Sequence, residues 1–109
     1  MTLYPEPPPT LAKPVNVTVQ PGEDAVLSCE VIYSGVKYNM TWDRPNSFVS
    51  LAIHNRVSQL QNGSLLIQNI NLADSGRYRC IAANEGGPSY ENVYLFVQGD
   101  HRKTPVPAN

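Results

Sequence analysis

Between residues 11 and 98 the apolar and polar positions alternate with a period of two. Val15, Val17 and Val19 are separated by Asn16 and Thr18. Leu27, Cys29 and Val31 are separated by Ser28 and Glu30. Met40 and Trp42 fall on one face, Asn39 and Thr41 on the other. Leu65 and Ile67, then Tyr78, Cys80 and Ala82, then Val93, Leu95 and Val97 repeat the pattern. A pleated strand sends successive side chains to opposite faces, so each run predicts a half-buried strand. Turn signals punctuate them: Pro21-Gly22, Ser34-Gly35, Asn62-Gly63 and Gly86-Gly87-Pro88. Short alternating strands broken by such turns predict an all-β sandwich or barrel. The stretch from Asn71 to Ser75 is expected to form a single helical turn between two strands.

The ends lack this pattern. Pro5, Pro7, Pro8 and Pro9 favour an extended polyproline-type segment, so residues 1–10 are expected to be a linker. From residue 99 to 109 the chain is polar and proline-bearing, a second expected linker. The folded unit is then 11–98, one module of a longer string.

Composition narrows the class. Of the residues 41% are hydrophobic and 16% charged, which suits a folded domain rather than a disordered tail. A net charge of −1 supplies no general attraction to nucleic acid or anionic membrane. No apolar run reaches the roughly 18 residues that span a bilayer, so no direct membrane insertion by this stretch is expected. The start, MTLYPEPPPT, has no apolar core of a secretion leader. A secreted protein of this sequence is therefore expected to be a piece of a longer precursor.

The run LLIQNINLADSGRYRC, with Cys29 and Trp42 upstream, resembles an immunoglobulin-superfamily domain of the I-set (intermediate) type. Leu65, Ile67, Ile70, Asp74, Gly76, Tyr78 and Cys80 fall on that pattern, and IAANEGG resembles its continuation. The resemblance covers about Pro14 to Val97. It implies an immunoglobulin-like Greek-key β-sandwich of two antiparallel sheets joined by one disulfide. Cys29 and Cys80 would form that bridge, with Trp42 packed against it. On the residues alone, two buried free thiols remain an alternative. Tyr78 would be the tyrosine corner, its hydroxyl bonded to backbone just upstream. Asp74 would act as a small acceptor in the preceding turn and pair with a cation, Arg56 being the expected partner ahead of Arg77 and Arg79. Gly76 would allow the tight turn between them.

Compartment follows from modification chemistry. Asn16-Val17-Thr18, Asn39-Met40-Thr41 and Asn62-Gly63-Ser64 are three acceptor motifs for N-glycosylation. Alternation points Asn16 and Asn39 outward, and Asn62 sits at a turn. With a disulfide-competent pair, these motifs favour an extracellular or cell-surface location.

Catalysis finds no constellation. The histidines are His54 and His101, and neither has a partner at triad or metal-ligand spacing. Gly86-Gly87 runs into Pro88 rather than a helix, so no phosphate loop is read there. No enzyme activity, cofactor or metal is expected.

Domains of the resembled type occur in adhesion molecules, matrix proteins and receptors, and inside muscle cells. The expected function is protein recognition in adhesion or receptor signalling. Alternatives are a structural spacer in a tandem array and an intracellular muscle module. Expected partners are other proteins, including a second copy or an adjacent module, and no nucleic acid. The run His101-Arg102-Lys103 offers a small patch for an acidic glycan. Because Val93, Leu95 and Val97 point inward, Tyr94 and Phe96 must point out. With Arg77, Arg79 and Ile81 they make the expected interface, and the loop Asn84 to Ser89 is the next candidate. A glycan on Asn39 would lie across part of that face.

Overall fold

A computed structural model describes residues 6–45 and 55–99. Among the described residues nine strands form in chain order: β1 (Thr10–Leu11), β2 (Val17–Val19), β3 (Ala25–Leu27), β4 (Val31–Tyr33), β5 (Asn39–Asp43), β6 (Val57–Gln59), β7 (Leu65–Ile67), β8 (Gly76–Asn84) and β9 (Gly87–Val97). One sheet has the order β2-β9-β8-β5, the other β3-β7-β6, and β1 pairs with β4 beside them.

The inward residues of the two sheets meet in one core. Ala25 and Leu27 of β3 and Leu65 and Ile67 of β7 face Tyr78 of β8 and Val93 and Leu95 of β9. Ile70 closes one end, and Val17, Val19, Trp42, Val57 and Val97 pack around the rim. Each fully buried leucine or isoleucine contributes about 1.5–3 kcal/mol of transfer free energy. Cys29, two residues past β3, is bridged to Cys80 of β8 with their Cα atoms 6.4 Å apart. The bridge ties one sheet to the other across this core.

Three features depart from the sequence reading. The pairing of β2 with β9 is parallel, Val17 opposite Leu95 and Val19 opposite Val97, whereas the other pairings are antiparallel. The chain passes from the β1-β4 pair to the four-stranded sheet between β1 and β2, around Pro14, which has no N–H for a ladder. Val15 lies in that crossing and is 80% exposed, so it does not share the inward face of Val17 and Val19.

The second departure is the start of the chain. Residues 6–10, expected to be linker, are seated on the domain. Pro9 is buried, Asn84 Nδ2 donates to the Pro7 carbonyl at 2.9 Å, and the Ser89 hydroxyl donates to the Pro9 carbonyl. Gly86 makes room for this: a β-carbon there would collide with the Glu6 carbonyl. Pro7, Pro8 and Pro9 supply no N–H to satisfy, so this stretch can seat through its carbonyls. The third departure is β9, which begins at Gly87 rather than near Val93. β2 covers only its last residues, leaving the beginning an edge where Pro88 is tolerated.

Candidate recognition face

The turn before β8 anchors one end of the sandwich. Asn71 caps a single 3₁₀ turn, Leu72–Asp74: its side chain accepts from Ala73 N–H at 2.9 Å, and Asp74 Oδ2 accepts from Asn71 N–H at 2.8 Å. Such a reciprocal box satisfies amides that the turn itself leaves free. Tyr78 Oη then donates to the Asp74 carbonyl at 2.7 Å, from a ring only 1% exposed. Gly76, at φ +141°, takes the backbone through a conformation that side chains rarely adopt.

Arg56 reaches the same turn from the turn just before β6. Its NH1 and NH2 donate to Asp74 Oδ2 and Oδ1 at 3.0 and 3.1 Å, and NH1 also donates to the Gln68 and Asn69 carbonyls at 2.9 Å. Burial pushes the Asp74 carboxyl up, but hydrogen bonds from Arg56 and the Asn71 amide, with the charges of Arg56 and Arg44, outweigh it. The net position lies below the usual carboxylate range. The hydrogen bond it donates to Asp74 holds Arg56 above its ordinary value, against a smaller opposing effect of burial. Burial raises the Tyr78 phenol.

Arg44 completes this end, and sequence reasoning missed it. Its NH2 donates to the carbonyls of Ala73 at 2.8 Å and Ser75 at 2.7 Å, and its guanidinium sits 5.0 Å from the Tyr78 ring centre. A cation over an aromatic face is attracted by the ring quadrupole. Trp42 is half-buried rather than enclosed, and its Nε1 donates to the Gly63 carbonyl at 2.7 Å. These contacts fix the strands on which the outer face is built.

That face is the solvent side of the β2-β9-β8-β5 sheet, and cross-strand register arranges it in rows. Asn39, Ala83 and Pro88 form the first; Thr41, Ile81 and Tyr90 the second; Asp43, Arg79 and Asn92 the third. Arg77 and Tyr94 follow, and Thr18 stands beside Phe96 at the far end. Arg79 Nε and NH2 donate to Asp43 Oδ1 and Oδ2 at 3.1 and 2.6 Å. Its guanidinium also lies 5.0 Å from the Tyr90 ring centre. The Asp43 hydrogen bond holds Arg79 above its ordinary value. Tyr94 and Phe96 are nearly parallel, 11° apart in plane with centroids 6.3 Å apart. Exposure is 53% for Tyr90, 38% for Tyr94 and 48% for Phe96, so three aromatic rings stand in solvent along one strand.

The structure thus brings Tyr94, Phe96, Arg77, Arg79 and Ile81 onto one surface and adds Tyr90 and Asp43, which the sequence reading did not name. Asn39 lies at one corner of it. Asn16 lies at the other, its Oδ1 accepting from the Tyr94 N–H at 3.0 Å. Asn62 sits away from this face at a turn, its Oδ1 accepting from Ser64 N–H at 3.0 Å. The loop Asn84 to Ser89 is a poorer candidate than expected, because residues 6–9 cover it. His54, His101, Arg102 and Lys103 lie outside the described residues. Among the described residues no group of three or more histidine, cysteine, aspartate or glutamate side chains is arranged to hold a metal ion, and no helix is long and apolar enough to cross a membrane.

Comparison with known proteins agrees with this architecture. Over 104 residues the chain is 45% identical to hemicentin-1 of Mus musculus, covering 95% of this chain and 2% of that protein. It is 42% identical over 84 residues to protein sidekick of Drosophila melanogaster, covering 77% of this chain and 4% of the relative. The chain therefore spans only a few hundredths of these relatives' length. Among solved structures, extracellular domains 3–5 of Drosophila OTK superpose with a TM-score of 0.74 at 28% identity, covering 85% of this chain and 32% of that one. The titin M10–obscurin-like 1 complex contains a chain that superposes at 0.73 with 28% identity, covering 86% of this chain and 96% of its own. A family model described as "Immunoglobulin domain" matches residues 7–84, and the chain belongs to that family.

Proposed function

We propose that this domain is a protein-recognition module of an extracellular or cell-surface protein, of the I-set type, gripping its partner with the outer face of the β2-β9-β8-β5 sheet. The observation that carries the reading is the exposed centre of that face. Tyr90, held under Arg79, stands beside Ile81 and next to the Asp43–Arg79 pair. Tyrosine and arginine are the side chains that most often carry interface energy, because each combines large contact area with directional hydrogen bonds. Similarity to hemicentin-1 and sidekick supports an adhesion- or receptor-type setting, and likeness to the OTK extracellular domains supports the compartment. The Cys29–Cys80 bridge is the form a domain takes in an oxidising compartment.

The partner is another protein, a second copy or an adjacent module. The test is binding of the secreted domain to an array of extracellular proteins that includes the domain itself. Arg79→Glu and Tyr90→Ser, each checked for folding, are expected to weaken binding at least tenfold, whereas Glu23→Gln on the remote β2–β3 turn leaves it unchanged. Equal binding by all four proteins would overturn the choice of face. A spacer in a tandem array would bind only its flanking modules.

A further inference from the structure

The two outer aromatics Tyr94 and Phe96 stack on each other with 38% and 48% of their surface still exposed, and the residue beside them is an acceptor asparagine. We infer that Asn16 carries an N-linked glycan in the secreted protein, and that its first N-acetylglucosamine is seated on the Tyr94–Phe96 pair. The inference rests on the extracellular half of the proposed function and leaves the centre of the face, around Arg79 and Tyr90, to the partner.

The geometry supplies the argument. The parallel register puts Val17 opposite Leu95 and Thr18 opposite Phe96, so Asn16 falls beside Tyr94. The Asn16 carboxamide is held there by a specific bond, Oδ1 accepting from the Tyr94 N–H at 3.0 Å. Glycosylation derivatises the other atom, Nδ2, so the fold accommodates the modified asparagine without giving up that bond. In the modification, Asn16 Nδ2 forms a bond to C1 of the sugar on a lipid-linked pyrophosphoryl oligosaccharide. The bond from C1 to the phosphate oxygen breaks, the pyrophosphoryl lipid leaves with the electron pair, and Nδ2 gives up a proton. Thr18 supplies the hydroxyl that the acceptor motif requires.

The attached sugar then emerges at the base of the Tyr94 side chain. The C–H face of a pyranose is apolar with slightly positive hydrogens, and an aromatic face is negative, so the two attract. Two near-parallel rings with centroids 6.3 Å apart offer such an apolar seat. Among the described residues neither of the other acceptors lies beside such a stacked pair. Asn39 stands in the row of Ala83 and Pro88, and Asn62 sits on a turn beside the buried Ser64. Asn16 and Asn39 occupy opposite corners of the face, about 20 Å apart along the strands at ~3.3 Å per residue. Glycans there would bracket the Arg79–Tyr90 centre rather than bury it.

The experiment uses the domain secreted from cells that make high-mannose glycans, with site occupancy read by glycopeptide mass spectrometry. The glycans are then trimmed enzymatically to one N-acetylglucosamine. Thr18→Val removes the acceptor motif while leaving Asn16 and its bond to Tyr94 in place. We expect Asn16 to be occupied in the parent, and the parent to unfold at a higher temperature than Thr18→Val. That difference should vanish when both proteins also carry Tyr94→Ser and Phe96→Ser. In a parent labelled in the sugar's acetyl groups, the Asn16-linked methyl resonance should be shifted by the ring currents of Tyr94 and Phe96. A bare Asn16, a temperature difference indifferent to the aromatics, or an unshifted methyl would each overturn the inference. Loss of partner binding by Arg79→Glu alongside a bare Asn16 would overturn it while leaving the recognition reading standing. An occupied, seated Asn16 with no binding would do the reverse.

Discussion

Breaking the Arg56–Asp74 pair tests how the β8 end of the sandwich is held. The Asp74 side chain is 8% exposed and that of Arg56 28%, so the pair lies between a surface bridge and a buried one. Exposed pairs couple by about 0.2–1 kcal/mol, whereas removing one member of a buried pair costs about 3–5 kcal/mol. Arg56→Ala leaves the carboxylate with its Asn71 amide and the charge of Arg44, and also frees the Gln68 and Asn69 carbonyls. We expect a loss of about 2–3 kcal/mol. Asp74→Ala removes the pair and the capping acceptor, at a similar cost. Because both single variants lose the same interaction, the double variant should lose about 1–2 kcal/mol less than their sum. Urea unfolding of the four proteins at neutral pH measures this. The pH dependence has a fixed sign. The Asp74 carboxyl titrates lower in the fold than in the unfolded chain, so its stabilisation is complete above the unfolded value and is lost as pH falls through the folded one. Arg56 is raised and so stays protonated throughout the acid range, which leaves Asp74 as the member of the pair that titrates there. The coupling should therefore fade in acid. Strict additivity at neutral pH, within about 0.3 kcal/mol, would refute the pair as a stabilising element.

Three further perturbations address other parts of the fold. Tyr78→Phe keeps the buried ring and removes the 2.7 Å bond to the Asp74 carbonyl, so chemical denaturation should show a loss of about 0.5–1.5 kcal/mol; no change would mean the bond contributes nothing net. Opening the Cys29–Cys80 bridge releases a loop of sequence separation 51, worth about 4 kcal/mol in the chain-entropy model, and a paired Cys29→Ala and Cys80→Ala variant should approach that loss. Free thiols in the denatured, unreduced parent would contradict the bridge. Gly86→Ala forces a β-carbon against the Glu6 carbonyl and should cost about 1–3 kcal/mol of overpacking, with faster amide exchange at Ser89 and Thr10. A neutral result would show that residues 6–9 are not seated there.

Which parts were legible in the sequence follows from how far apart the interacting groups lie. The Asp74–Tyr78 corner spans four residues and its capping turn fewer, so local spacing reveals both. Strand polarity along β7, β8 and β9 was equally plain, because burial on one face enforces alternation. The Asp43–Arg79 bridge was not, since it depends on the register that places those residues opposite each other on β5 and β8. Arg44 was hidden for the same reason: its carbonyl partners lie 29 and 31 residues away. The prolines at residues 7–9 misled because a polyproline stretch reads the same whether solvated or seated. The space beside Gly35 and Gly86 that admits the segment is a tertiary fact. Tyr90 was missed because Gly86-Gly87-Pro88 reads as a turn, whereas β9 begins inside it.

Binding at the centre of the outer face is the claim on which the account depends. The decisive measurement is the affinity of the secreted domain for its best partner on the extracellular array, compared with Arg79→Glu and Tyr90→Ser at equal folded fraction. The account predicts at least a tenfold loss for each, with Glu23→Gln unchanged. Affinities equal to the parent's in both face variants would contradict it.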